Sequence, residues 1–209
     1  MSLYANSQTL KQTLSKQYPN AEGILISKCK IESKLFIVTI QNQIDWWEII
    51  NIVRFSNHKI KWTAKFNNPP TSQTIHTATQ ISLPGFKNPL IEIFDVTHNG
   101  NGFHYLYELN GRNLIQLVST IAIDDHDDGA IEINHQICSR FIKDGGLKPI
   151  YKDLNNDGFT DIKLKGTILI NCDDFKKEHP AQKIFIYDKT KNEFIESLKL
   201  RTGFKRHDD

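Results

Sequence analysis

Apolar residues follow two rhythms along this 209-residue chain. Over residues 6–18, Leu10, Leu14 and Tyr18 recur at i, i+4 and i+8, which places them on one face of a helix. Asn6 or Ser7 can cap its start, and Pro19-Asn20 ends it. Beyond residue 20 the rhythm shortens. Residues 24–26, 35–40 and 47–55 are rich in β-branched and aromatic side chains, which suit a pleated, half-buried surface. Later apolar runs are equally short. Asn-Gly, Asp-Gly, Pro-Gly and Asn-Pro pairs separate them, which is the grammar of strands and turns.

Two polar stretches, 67–80 with Pro69-Pro70 and 173–180, read as long connections inside one domain spanning 1–209. The tail after Leu200 is polar and is expected to fray. Three stretches share a strand, polar turn, strand pattern: 52–62, 105–117 and 184–195. A further strand and a loop precede each of them, the loops being 95–102 in the second and 153–161 in the third. Such a unit has the layout of a propeller blade, although any antiparallel meander gives strand-turn-strand at this spacing. The expectation is a mainly β protein, either an antiparallel meander or an incomplete propeller-like array, with a short N-terminal helix.

Composition narrows the classes of function. The chain is 39% hydrophobic and 24% charged, as in ordinary globular domains. Its 26 basic and 24 acidic residues leave a net charge of +2, which gives no electrostatic reason to expect nucleic acid as a partner. No run of about 18 apolar residues marks a transmembrane span. Cys29, Cys138 and Cys172 are far apart and form no Cys-x-x-Cys. One disulfide with one free thiol, or three buried thiols, both fit that spacing.

One loop carries recognisable chemistry. In the run Asp153-Leu-Asn155-Asn-Asp157-Gly158-Phe159-Thr-Asp161, oxygen-bearing side chains alternate, a glycine follows, and a carboxylate closes the segment. Calcium takes about six to eight oxygens at roughly 2.3–2.6 Å. Asp153, Asn155, Asp157 and Asp161 supply side-chain oxygens, and Phe159 the expected backbone carbonyl. Three carboxylates this close repel one another unless a cation lies between them. The loop is not an EF-hand, since its twelfth position is Leu164 instead of Glu. Its flanks, 148–151 and 161–165, read as strands. Without a metal, the same residues are also good turn formers.

The run from Asp153 to Ile162 resembles the calcium loops of FG-GAP and VCBS-type repeats, found in integrin-like propellers and many bacterial surface proteins. With the hairpin at 184–194, the resemblance covers 148–198 and extends to small bacterial periplasmic or lipoprotein β domains. A fainter echo covers 89–119. There Asp95 and Asn99 match, but Thr97 and Phe103 replace the second ligand and the closing Asp, so that site has degenerated. The resemblance implies bound Ca2+, export to the periplasm or beyond, and a protein or glycan partner. Met1-Ser2-Leu3-Tyr4 has no basic and apolar leader pattern, so export would need a leader outside these residues. All proposed ligands lie in one loop with no nucleophile or base beside them. The ion's expected role is therefore structural, and the expected function is non-enzymatic.

Other candidates are thinner. The acidic run Asp124-Asp125-His126-Asp127-Asp128 could ligate a second ion or act in a hydrolase on a glycan or peptide. A glycosidase would need two carboxylates about 5–10 Å apart across a cleft. A solvated acidic turn gives the same residues. Trp46-Trp47 and Trp62 lie in strand-like segments, where alternate side chains face opposite ways. One of the adjacent pair is expected in the core, and the other could form a platform for a sugar. Histidines including His58, His76, His98, His104 and His135 form no metal motif, and no nucleophile elbow or phosphate loop is present.

Overall fold

The structure, a computed structural model, describes residues 3–27, 35–42, 48–57, 59–67, 70, 75–96, 102–123, 131–133, 135–143 and 146–200. Strands dominate, in two curled sheets, with one short N-terminal helix. The chain divides into two compact units. The first is Met1–Ser82 with Asn88–Asp95 and Tyr105–Gln116; the second is Leu83–Lys87, Val96–His104 and Leu117–Asp209.

The first unit holds the helix α1 (Leu3–Gln17) and the strands β1 (Ala21–Ser27), β2 (Leu35–Asn42), β3 (Glu48–Ser56), β4 (Lys59–Phe66) and β5 (Ile75–Ile81). The helix begins earlier than the capping pattern predicts, so Asn6 and Ser7 lie inside it. Leu10 and Leu14 are buried, and Tyr18 packs beside them against Ile24, Phe36, Val38, Ile40, Val53 and Phe55. The opposite face of the same strands is buried too. Ile37 lies across from Ile52, and Ile52 across from Ala64, all with no exposed surface. Both faces being dry explains the near-continuous apolar run of β2.

The strands β6 (Leu90–Val96), β7 (Gly102–Asn110) and β8 (Asn113–Ile123) complete an eight-stranded sheet in the order β1-β2-β3-β4-β8-β7-β6-β5. It is two four-strand runs joined by one parallel pair, β4 with β8, where Lys65 faces Asn113. The 52–62 and 105–117 stretches form the predicted hairpins β3–β4 and β7–β8. The second turns on Gly111 at φ +61°, as a tight two-residue connection requires. The connection read over 67–80 is shorter than expected, because β5 starts at Ile75. Ile75, Thr77, Thr79 and Ile81 alternate as β-branched residues, a strand signal that polar neighbours obscured.

The second unit holds β9 (Ile131–Ile133), β10 (Gln136–Ile142), β11 (Lys148–Lys152), β12 (Asp161–Asn171), β13 (Lys176–Asp188), β14 (Glu193–Glu196) and a 3-10 turn, Leu198–Leu200. The sheet order is β14-β13-β12-β10-β9, and β11 also pairs with β12. β10 and β11 therefore lie end to end along one edge of β12, at 168–171 and at 161–165. Between them Leu147 folds in, fully buried, against Gly166. A Cβ at Gly166 would stand 2.8 Å from the Leu147 side chain, so glycine leaves the space that the interruption needs.

The connection expected over 173–180 is also shorter, since β13 begins at Lys176 and pairs with Asn171. Its first residues are exposed, which is why they read as loop. Among the described residues β14 covers β13 only at 185–188, so the earlier part of β13 has an open edge. Pro180 sits there and lacks the N–H with which another strand could pair.

The two stretches compared as blade-like units differ by a strand. After the loop at 153–161 the chain runs through β12 before the β13–β14 hairpin. After 97–101 it enters the β7–β8 hairpin at once. Cys138 and Cys172 form a disulfide with their Cα atoms 4.4 Å apart, one step beyond the Ser139–Asn171 pair of β10 and β12. Of the two pairing states open in the sequence, this is the one with a disulfide. Cys29 lies outside the described residues.

Candidate metal centre

The loop at 153–161 connects β11 to β12, as its strand-like flanks predict. Two residues in it take positive φ: Asn156 at 59° and Gly158 at 86°. Asn and Gly tolerate that region best, and the reversal turns the side chains of the alternate positions inward. Each predicted side-chain ligand accepts backbone N–H groups. The Asp153 carboxylate accepts from Asp157 N at 3.2 Å and from Gly158 N at 2.9 Å. Asn155 Oδ1 accepts from Asp157 N at 3.1 Å, and Asp157 Oδ1 from Phe159 N at 2.9 Å.

Asp161 ties the loop to the sheet. It is fully buried. Its Oδ2 accepts from Leu154 N at 2.8 Å and its Oδ1 from Tyr187 N on β13 at 3.0 Å. One side chain thus fixes the first residues of the loop and continues the β12–β13 ladder past its last backbone pair. Charge-assisted bonds of this kind are roughly twice as strong as neutral ones.

A lysine also reaches the loop. Lys189, in the β13–β14 turn, places Nζ 3.0 Å from the Asp157 carbonyl oxygen, 3.8 Å from Asp157 Oδ2, and 4.3 Å from the Phe159 ring centroid. The Phe159 side chain, absent from the ligand reading, anchors the loop. It stacks on Tyr187 at 5.2 Å and meets Phe86 edge-on at 5.9 Å. Phe194 completes the group, 5.2 Å from Tyr187. The turn at Pro84-Gly85 docks on the same place. Thr160 donates both its N–H and its hydroxyl to the Pro84 carbonyl, each at 3.1 Å. Gly85 has φ +91°, and a Cβ on it would lie 2.7 Å from the Phe159 ring.

The donor set suits a hard cation, being all oxygen and drawn from one short loop. A carboxylate offers about four acceptor sites, so an oxygen bound to one N–H keeps another for an ion. The spacing is another matter. Among the described residues, no three Asp, Glu, His or Cys side chains are gathered closely enough to hold an ion. Backbone N–H groups and Lys189 occupy the oxygens' near surroundings instead. To hold Ca2+ with the Phe159 carbonyl, Asp153, Asn155, Asp157 and Asp161 would have to draw closer together, and the ion would then supply the positive charge that three carboxylates need.

Protein-family profiles, curated proteins and solved structures give no match to this chain.

The remaining candidates fall in different places. The acidic run 124–128, Trp46, Trp47, His58, His98, Thr97 and Asn99 lie outside the described residues. His104 is fully buried, and its Nε2 lies 3.4 Å from the Tyr151 hydroxyl. Beside the loop an open groove is lined by Asp157, Ile186, Lys189, Ile195 and Glu196. Sequence reading missed Lys189, Tyr187, Phe86 and Thr160 as parts of the site. The available signal was the alternation in the 184–195 hairpin, which puts Tyr187 and Phe194 on one face.

Proposed function

We propose that this protein is a calcium-braced, non-enzymatic binding or structural module of an exported bacterial protein, with a loop of FG-GAP or VCBS type at 153–161. The observation that carries the reading is the inward turn of Asp153, Asn155, Asp157 and Asp161 onto the loop's own N–H groups. An ion there braces β11, β12 and, through Asp161, β13. It acts on stability because it binds the folded loop and not the unfolded chain. The Cys138–Cys172 disulfide supports an oxidising compartment, where such bonds persist. The partner is a protein or a glycan.

Thermal unfolding with millimolar-class calcium and with chelator tests the reading, on wild type and on Asp157→Ala. Calcium is expected to raise the wild-type midpoint. At a hundred times the dissociation constant the gain is about 2.7 kcal/mol. Asp157→Ala is expected to lose that response. A wild-type midpoint that chelator and calcium leave unmoved would falsify it.

Lys189 favours a second reading, in which the loop carries its own cation and takes no metal. Under that reading Lys189→Met lowers the midpoint and calcium does nothing to either protein. Under the calcium reading the same variant keeps a calcium-dependent rise.

A further inference from the structure

We propose that the strand face carrying Lys148, Lys152, Lys163 and Lys165 docks on an anionic lipid surface. The register places these side chains together. Lys148 lies directly across from Lys165, Ile150 from Lys163, and Lys152 from Asp161. Directly opposed residues share a face, and so do residues two apart on a strand. All four lysines and Ile150 therefore point the same way. In register the same side of the sheet continues across β13 and β14, where Lys163 pairs with Ile184 and Ile186 with Ile195, but Ile184 is buried, so the exposed basic patch is that of β11 and β12.

Lys148, Lys152 and Lys165 are exposed, as are Ile150 at 46% and Ile195 at 39%. Like charges directly opposed, as at Lys148 and Lys165, destabilise a sheet. Among the described residues none of the four lysines forms an ion pair. Asp161 shares their face, but it is fully buried and both its oxygens accept backbone N–H groups. Within 148–165 the acids are collected in the loop and the cations on the strands, whereas farther along the same face Asp188 lies across from Glu193 and ends the basic patch.

Edge protection accounts for only half of this pattern. β11 pairs with β12 alone among the described residues, and lysines on an edge strand discourage further pairing. Lys163 and Lys165 lie on β12, which is paired on both sides at those residues and has no edge to guard. A cluster of ammonium groups that, among the described residues, form no ion pair calls for a partner with spread negative charge. The apolar side chains among them are aliphatic and protrude singly. That suits the headgroup and upper acyl region of a bilayer better than a sugar, which stacks on aromatic rings. Lysine, a compact point charge without Arg's fixed fork, suits headgroups that rearrange.

Co-sedimentation of the full chain tests this, with phosphatidylcholine vesicles and with mixed phosphatidylcholine–phosphatidylglycerol vesicles. Binding is expected only to the mixed vesicles, with release at about 1 M salt, where the screening length falls to about 3 Å. Lys163→Gln with Lys165→Gln is expected to weaken partitioning about thirty-fold, from the usual attraction of two basic residues near an anionic surface. The charge-matched control on β4, Lys59→Gln with Lys61→Gln, is expected to bind as wild type. If the β12 double variant misfolds by circular dichroism, Lys148→Gln with Lys152→Gln on the edge strand gives the same reading. Equal binding to both vesicle types, no binding to either, or wild-type binding by the folded lysine variants each overturns the proposal. Retention on a heparin column without vesicle binding also overturns it, in favour of a polyanionic chain.

Discussion

Asp161 carries more of the site than its place at the end of a metal motif suggests. Asp161 is fully buried, and its two oxygens satisfy a half-buried N–H from Leu154 and a buried one from Tyr187. Asp161→Ala leaves both donors without a partner, and a fully buried orphan such as the Tyr187 N–H costs about 1–3 kcal/mol. Urea unfolding in chelator is expected to show a loss of about 3 kcal/mol; a loss below about 1 kcal/mol would mean that water replaces the carboxylate freely. Asp188 offers a pH test. Its carboxyl titrates below the usual carboxylate range because the Thr190 hydroxyl, then the Thr190 N–H, donates to the charged form, with a smaller contribution from Lys191. A carboxylate depressed in the folded state adds stability above its unfolded pKa and loses it as pH falls through the folded value. The effect is therefore confined to acid. Thr190→Val keeps the N–H and removes the hydroxyl. NMR titration is expected to show Asp188 moving up toward the ordinary range, and an unchanged titration would rule out the hydroxyl as cause.

At the scale of elements, the 153–161 loop and the Pro84-Gly85 turn form one packed piece through Phe159 and Thr160. Gly85→Ala meets two obstacles, a left-handed φ of +91° and a Cβ 2.7 Å from the Phe159 ring and 2.9 Å from the Gly158 carbonyl. Backbone strain of this sort costs about 1–3 kcal/mol. The midpoint of thermal unfolding is expected to fall, and calcium, if the loop binds it, to restore less of it than in wild type. A variant as stable as wild type would show that the turn moves aside without penalty. The loop's strand flanks and the three hairpins follow from local grammar. The starts of β5 and β13 escaped it because polar residues can still pair when a neighbouring strand supplies the ladder.

At the scale of the whole molecule, the chain is two compact units, and the disulfide belongs to the second. Its 34-residue separation in sequence predicts about 4 kcal/mol from restricting the unfolded chain. Reduction of the native protein is expected to speed amide exchange in β10 and β12, while α1 and β2 in the first unit keep their protection. Equal acceleration in both units would show that they unfold as one. The +2 net charge conceals the distribution of charge: three acids in the loop and four lysines on the strands beside it. Dispersed in sequence, those lysines look like ordinary solvated surface, and only the register of β11 on β12 brings them to one face.

The sequence by itself determined what depends on short-range stereochemistry. The amphipathic spacing of Leu10, Leu14 and Tyr18 makes a helix with one buried face, and β-branched runs between turn pairs make a mainly β protein. The alternation of Asp153, Asn155 and Asp157 before Gly158 makes an inward-turned loop between strands. Tertiary structure decided what depends on partners distant in the chain. It joined Cys138 to Cys172, set the parallel β4–β8 pair, and laid β10 and β11 end to end along β12. It also brought Lys189 and the Pro84 turn to the loop. Local torsion and periodicity are written in neighbouring residues, whereas register and long-range contacts are settled only when the whole sheet buries its apolar face.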